Sequence, residues 1–318
     1  MIINNDSLEV LRTCHYNYND TLKSLVSDNL YLSIVATNAC QRRCPYCINS
    51  LEDKSLDLPI DKAKENIKKA IDILGVKEAV ILGGEPTLYP KLFELIEFLK
   101  ESGLRKFGLT TNGIRIKDAV RERCDFFEEL IKTGIDFINI SFHNDKEGLT
   151  FRDLYHIRRC FNENKRSHQK LRINTNVWKG NHDNVHDLAV FINLISSYCD
   201  EIRISNLIRK NTFSVNPTQV QEAETMYMTD SEYEDLFRQF IEENKSRYTI
   251  IHNPSALGFV NYYLIPSPVP VIINWNIVSK VSEQVCENNI GENKIHTIKC
   301  LVTSDLSLSW NLNNKIVL

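Results

Sequence analysis

The chain has 318 residues, 38 Lys and Arg against 41 Asp and Glu for a formal charge of -3, and is 42% hydrophobic and 25% charged. That length holds one large α/β domain or two smaller ones, and the composition is ordinary for a globular protein, without the basic excess that marks a nucleic-acid partner. Nine scattered cysteines argue against a secreted disulfide framework, Met1 to Asp6 do not open a basic and then apolar leader, and no apolar run is long enough to cross a bilayer, so a cytoplasmic protein with no membrane partner is expected.

From residue 31 to about 210, short β-branched runs alternate with longer helical patterns, which is the mark of parallel strands joined by crossover helices. The first strand is predicted at Tyr31–Ala36, and the polar loop after it carries Cys40, Cys44 and Cys47. Three thiolates at this spacing can hold three corners of an iron–sulfur cube and leave one iron open to a small molecule. A structural zinc would require a fourth ligand close by. The nearest candidates, Cys14, Cys124 and His143, are too distant in sequence to form one local site with these three.

A helix follows with Ile60, Ala63, Ile67, Ile71 and Leu74 on one face, then a strand at Ala79–Leu82 and the loop Gly83-Gly84-Glu85-Pro86-Thr87. Beyond Pro90 a second helix places Leu92, Leu95, Ile96 and Leu99 together, and a third strand at Phe107–Thr110 leads into Thr111-Asn112-Gly113. Helices are predicted over about 115–133, 147–164 and 184–197, with strands at Phe137–Ser141, Leu171–Val177 and Glu201–Ser205; Gly75, Gly103 and Gly134 stand where left-handed caps are wanted. The pair His182 and His186 has a metal-like spacing, but Asp183 or Asn184 as a helix N-cap explains that run more economically. After residue 210 the pattern yields a helix over about 231–246, started by Thr229 or Ser231, and short strands at Val269–Trp275, His296–Val302 and Leu306–Trp310. The expected architecture is α/β: an N-terminal extension (1–30), a partial parallel (β/α)6 barrel (31–210) and a smaller C-terminal α+β portion capping it (211–318).

The ordered set Cys40-x3-Cys44-x2-Cys47 with aromatic Tyr46, then Gly83-Gly84-Glu85-Pro86, then Thr111-Asn112-Gly113, resembles the radical S-adenosylmethionine (SAM) superfamily, in its MoaA-like and peptide-modifying branch, over residues 31 to about 210. The resemblance implies a 4Fe-4S cluster on Cys40, Cys44 and Cys47, with SAM chelating the open iron through its amine and carboxylate. It further implies reductive cleavage of SAM to methionine and a 5′-deoxyadenosyl radical that abstracts hydrogen from substrate, with an electron donor such as flavodoxin or ferredoxin. On this reading the SAM contacts are Tyr46, Gly83, Gly84, Glu85, Pro86, Thr111, Asn112, Ser141, Asn176 and Ile208. The paired glycines would let backbone approach SAM, and Glu85 would accept from its ammonium. For Ser141, Thr111 and Asn112, local turn capping is an equal alternative.

Arg172, Asn174 and Asn176 alternate along strand five and so share a face, and Arg203, Asn206 and Arg209 lie along and just after strand six. Arg172, Asn174, Arg203 and Arg209 are candidates for binding substrate, with surface ion pairing the alternative for the arginines. The substrate expected is a small polar molecule, anionic in the manner of a nucleotide or sugar phosphate, or a short peptide. Only Cys286 and Cys300 lie in the C-terminal portion, too few for a second cluster; Cys300 is either a hydrogen-atom donor or a small core residue. Two other classes stay open: a radical SAM enzyme modifying RNA or protein, and a non-catalytic iron–sulfur sensor or carrier.

Overall fold

Alternation of β-branched and polar residues builds twelve strands into one sheet in a computed structural model of the chain, which describes residues 26–47, 53–144, 148–207, 217–254, 260–266, 271–277, 295–309 and 315–317. The strands are β1 (Val26–Val35), β2 (Glu78–Leu82), β3 (Lys106–Thr111), β4 (Phe137–Ser141), β5 (Lys170–Val177), β6 (Glu201–Asn206), β7 (Tyr248–Pro254), β8 (Val260–Pro266), β9 (Ile272–Ile277), β10 (Ile295–Cys300), β11 (Leu306–Ser309) and β12 (Lys315–Val317). Their order is β12-β11-β10-β1-β2-β3-β4-β5-β6-β9-β8-β7, and the sheet does not close on itself. From β10 through β9 neighbouring strands run parallel, while the outer strands at either side are antiparallel.

The helices are α1 (Ile60–Leu74), α2 (Leu92–Glu101), α3 (Ile114–Glu122), α4 (Phe126–Lys132), α5 (Phe151–Asn164), α6 (Val185–Ser196), α7 (Pro217–Met226) and α8 (Asp230–Asn244). Helix α1 buries Ile60, Ala63, Ile67, Ala70 and Leu74, then stops at left-handed Gly75 (φ 72°), whose N–H returns to the Ala70 and Ile71 carbonyls. Helices α5 and α8 begin with reciprocal capping boxes, Thr150 with Asp153 and Thr229 with Glu232. The cap of α6 is Asn184, which accepts from the Asp187 N–H.

Two expectations are corrected. The single helix over 115–133 is two, because Arg123 adopts a left-handed conformation (φ 54°) and ends α3. The strands beyond residue 210 extend the sheet instead of covering it: β9 runs parallel beside β6, and β10 parallel beside β1. Burial explains both additions. Trp275 on β9 packs against Tyr233, Phe237 and Phe240 of α8, and Ile298 and Cys300 on β10 enter the same core as Leu32 and Ile34 of β1. Helix α7 and strands β7, β8 and β12 carried no clear pattern in the sequence.

One face of the sheet is apolar and covered by helices, with Leu32, Ile34, Ala79, Ile81, Leu109, Ile138, Ile140, Leu171, Ile173, Ile202 and Ile204 in the core. The other face is the inside of the curve. Four strands separate β1 from β6, yet Tyr31 and Arg203 lie close enough for the arginine to act on the tyrosine's ionisation.

Candidate functional site

Because β1 to β6 are parallel, the loops after them gather at one end of the sheet, the end at which α/β proteins of this kind carry their chemistry. The loop after β1 begins with buried Thr37 and Asn38; the Thr37 hydroxyl accepts from the Ala39 N–H (3.0 Å). Cys40, Cys44 and Cys47 follow as half-buried cysteines outside any disulfide, and the Cys47 N–H bonds the Cys44 carbonyl (3.0 Å) in a turn. Burial pushes the Cys40 thiol up; the Arg42 N–H, 3.4 Å from its sulfur, pulls the other way. Among the described residues no three His, Cys, Asp or Glu side chains converge as a ready metal site, these cysteines included. The donor set still fits a soft-metal cluster: three accessible thiols within eight residues and no competing disulfide. Where ligation and loop folding are linked, metal binding itself draws the ligands together.

Gly83 and Gly84 serve a packing purpose besides the one expected. A Cβ on Gly83 would lie 2.3 Å from the Thr37 carbonyl oxygen, and one on Gly84 2.3 Å from that of Ala39 and 2.4 Å from that of Asn38. Their missing side chains let the second loop press against the start of the cysteine loop, and the contact is sealed by Gly84 N–H to Thr37 O and Glu85 N–H to Ala39 O, both 2.7 Å. Pro86 is buried and opens the short 3-10 turn that follows.

Glu85 is buried, and most of its capacity is used inside the protein. One carboxylate oxygen accepts from the Thr87 N–H (3.1 Å), the Thr87 hydroxyl (2.6 Å) and the Thr111 hydroxyl (2.6 Å); the other accepts from the Asn112 N–H (2.7 Å). Burial pushes its carboxyl up, against the pull of the Thr111 and Thr87 hydroxyls and the Asn112 and Thr87 N–H groups. Glu85 is thus a strut between the loops after β2 and β3, with spare acceptor capacity on the oxygen that meets Asn112. Thr111 is consumed by the same strut, donating to Glu85 and accepting from the Gly113 N–H (3.0 Å). Asn112 accepts from the Ile114 N–H (3.0 Å) and turns its amide toward the cysteine loop, 3.3 Å from the Gln41 side-chain oxygen and 3.9 Å from the Cys40 sulfur.

The loops after β4 and β5 add an aromatic trio that sequence reasoning did not assemble. Tyr46 of the cysteine loop meets Trp178 (ring centroids 5.2 Å) and the edge of His143 (5.9 Å), and those two meet each other (5.7 Å). His143 is buried; its Nδ1 accepts from the Asn176 N–H (3.0 Å), and its carbonyl accepts from the Asn181 amide (3.0 Å). The available signal was Trp178 directly after the alternating run of β5.

On the inner face Ser141, Asn174 and Arg203 are opposite one another in register, and Asn176 accepts from the Ser205 hydroxyl (2.9 Å) one row nearer the loops. Arg172, in the row below, is not free: it pairs with Glu201 (2.5 Å) and lies over the Phe137 ring (4.3 Å). Asn206 belongs to the opposite, buried face and not with Arg203. Cys300 also points away from the inner face. It is fully buried in register with Ile34, its thiol is 3.7 Å from the Ser304 carbonyl, and burial pushes its pKa to about 12. Its placement is that of a core residue, since alternation gives the inner face to Lys299. Ile208, Arg209, Cys14 and Cys286 lie outside the described residues.

The family model described as the radical SAM superfamily matches residues 34–195. The chain belongs to the radical SAM superfamily. It is 26% identical over 305 residues to the GTP 3′,8-cyclase of Clostridium botulinum (strain Okra / Type B1), covering 90% of this chain and 89% of that one. To the GTP 3′,8-cyclase of Clostridium perfringens (strain 13 / Type A) it is 30% identical over 193 residues, 56% of this chain and 55% of that one. Among solved structures, Streptococcus suis SuiB bound to S-adenosylmethionine superposes with a TM-score of 0.62 at 14% identity, over 99% of this chain and 69% of SuiB. SuiB bound to its precursor peptide SuiA gives a TM-score of 0.55 at 18% identity, over 77% of this chain and 52% of that one. The chain therefore spans about half the length of the second cyclase and of peptide-bound SuiB, and the structural likenesses establish the fold. It is a radical SAM enzyme of open-sheet α/β architecture, and among the described residues no helix is long and apolar enough to cross a membrane.

Proposed function

We propose that Cys40, Cys44 and Cys47 hold a 4Fe-4S cluster and that SAM lies between this loop and the inner face of the sheet. A cluster held by Cys40, Cys44 and Cys47 would supply the one electron needed to cleave SAM reductively to methionine and a 5′-deoxyadenosyl radical, which would take hydrogen from a substrate carbon. The protein's own residues supply position. The Gly83-Gly84 contact fixes the start of the cysteine loop, Asn112 donates toward Cys40 and Gln41, and the Tyr46, His143 and Trp178 rings form one wall. The spare acceptor capacity of Glu85 is available to an ammonium, and Ser141 and Asn176 are assigned polar contacts to a ribose. Ile208 and Pro86 complete the proposed SAM set.

The observation that carries this reading is the meeting of four loops, those after β1, β2, β3 and β4, above an inner face with Asn174 and Arg203 directly below. Those two side chains hold a small polar substrate or a short peptide, with Arg209 assigned to the same task. A reduced flavodoxin or ferredoxin supplies the electron in a reducing cytoplasm.

Anaerobic reconstitution with iron and sulfide, followed by SAM and dithionite, should give 5′-deoxyadenosine, and Cys→Ser at positions 40, 44 or 47 should abolish it. Colourless protein, or protein that retains zinc in place of iron, would overturn the reading.

A further inference from the structure

Six residues from six neighbouring strands form one row across the inner face. In register they are Ile251 on β7, Tyr263 on β8, Asn274 on β9, Arg203 on β6, Asn174 on β5 and Ser141 on β4. The row begins apolar and ends polar beneath the cysteine loop. Ile265 and Ile272 share this face by alternation with Tyr263 and Asn274, and Ile251, Ile265 and Ile272 keep 47%, 37% and 37% of their surface exposed. Scattered exposed isoleucines are unremarkable, but three adjoining ones on an inner face next to a charge form a lining.

Other charges share this face: Glu78 pairs with Arg105, Lys106 lies over the Phe137 ring, and Lys299 stands on β10, on the far side of β1. Arg172 is neutralised by Glu201. Among the described residues Arg203 has no carboxylate partner; its side chain keeps an exposed surface on the inner face, while the neighbouring protein, with Tyr31, Arg172, Tyr263 and Tyr233 near it, desolvates it enough to lower its pKa. A guanidinium held this way is stabilised by an incoming anion, and a polyphosphate seated on it would leave the isoleucine lining uncovered.

We infer that the substrate is an amphiphile with a single anionic group on Arg203 and an apolar body laid along Ile251, Ile265 and Ile272, and that this lining makes the enzyme discriminate against nucleoside triphosphates. The inference rests on the reading of this face as the substrate site and deepens it to a substrate class.

The test uses anaerobically reconstituted full-length protein with SAM and the fluorescent probe 1-anilinonaphthalene-8-sulfonate, which joins one sulfonate to an aromatic body. Saturable binding is expected, weakened about tenfold or more by Arg203→Gln and by Ile265→Asp. Ile250→Asp, on β7 but on the face opposite Ile251, should leave binding unchanged, and GTP in large excess should not displace the probe. Displacement by GTP, or wild-type binding by both the Arg203 and Ile265 variants, would overturn the inference. Measuring 5′-deoxyadenosine in the same samples separates the two readings. Product formation with a failed probe pattern removes only the amphiphile, and the expected probe pattern without product removes only the proposed chemistry.

Discussion

Gly84→Ala is the most informative single substitution. The added methyl would stand 2.3 Å from the Ala39 carbonyl oxygen and 2.4 Å from that of Asn38, and both partners are backbone, so no side chain can swing aside. Relief requires the two loops to separate by about an ångström, which lengthens the Gly84 to Thr37 and Glu85 to Ala39 bonds, both now 2.7 Å. Overpacking costs about 1–3 kcal/mol, and two weakened buried bonds add about 1 kcal/mol each, for a total near 4 kcal/mol. With a urea m-value of about 3 kcal/mol/M for a chain of this size, the unfolding midpoint should fall by roughly 1 M. The displaced loop carries the three cysteines, so iron bound after anaerobic reconstitution should fall in parallel. Gly103→Ala is the control. Its methyl meets no atom within 4 Å and incurs only left-handed strain, about 1–2 kcal/mol, with iron content intact. A midpoint for Gly84→Ala within about 0.3 M of wild type, at full iron content, would refute the packing argument.

Glu85→Gln turns one acceptor oxygen into a donor facing donors, and should cost about 2–3 kcal/mol in chemical denaturation while loosening the loop after β3. Asp200 accepts from both terminal nitrogens of Arg158 (2.9 and 2.8 Å) and from the Leu171 N–H (2.9 Å). Burial pushes the Asp200 carboxyl up, but the Arg158 bonds, the Leu171 N–H and the Arg158 and Lys165 charges outweigh it and leave the pKa lowered. A depressed folded-state value stabilises the protein above the unfolded value of 3.8, and that contribution is lost as pH falls through the folded value. Asp200→Asn should therefore cost about 2–3 kcal/mol in thermal melts at pH 7, with the gap to wild type closing below about pH 4. Cys300→Ala should lower stability by about 1 kcal/mol and leave 5′-deoxyadenosine formation unchanged; loss of a substrate-derived product in that variant alone would restore the thiol as a hydrogen-atom donor.

The strands and helices from β1 to β6 were legible because each carries its own period and punctuation: Ile60 to Leu74 before Gly75, and Asn184 ahead of α6. The three-cysteine loop and the Gly-Gly-Glu-Pro run stood out for the same local reason. What was hidden depends on partners far apart in the chain. Glu85 reads as a lone acceptor until folding brings Thr111 and Asn112 against it, and Arg172 reads as a free cation until β6 delivers Glu201. Cys300 could be placed at a barrel mouth only while its register was unknown; pairing with Ile34 assigns it to the core. Strands β9 and β10 were visible as apolar runs, but no short-range signal says that Ile272 and Ile295 open strands that add to the two sides of a sheet begun at Val26.

That last arrangement bears on how the chain is born. On the ribosome β1 emerges early and finds β2 within one helical turn-around, but its other side stays open until residues 295–300 have been made. For most of synthesis the strand leading into the cysteine loop thus offers unpaired amides and carbonyls to any passing chain, a hazard for recombinant yield. Since the last strands complete the scaffold of the first, truncations near the C-terminus should injure iron loading although they remove no cysteine of the proposed cluster.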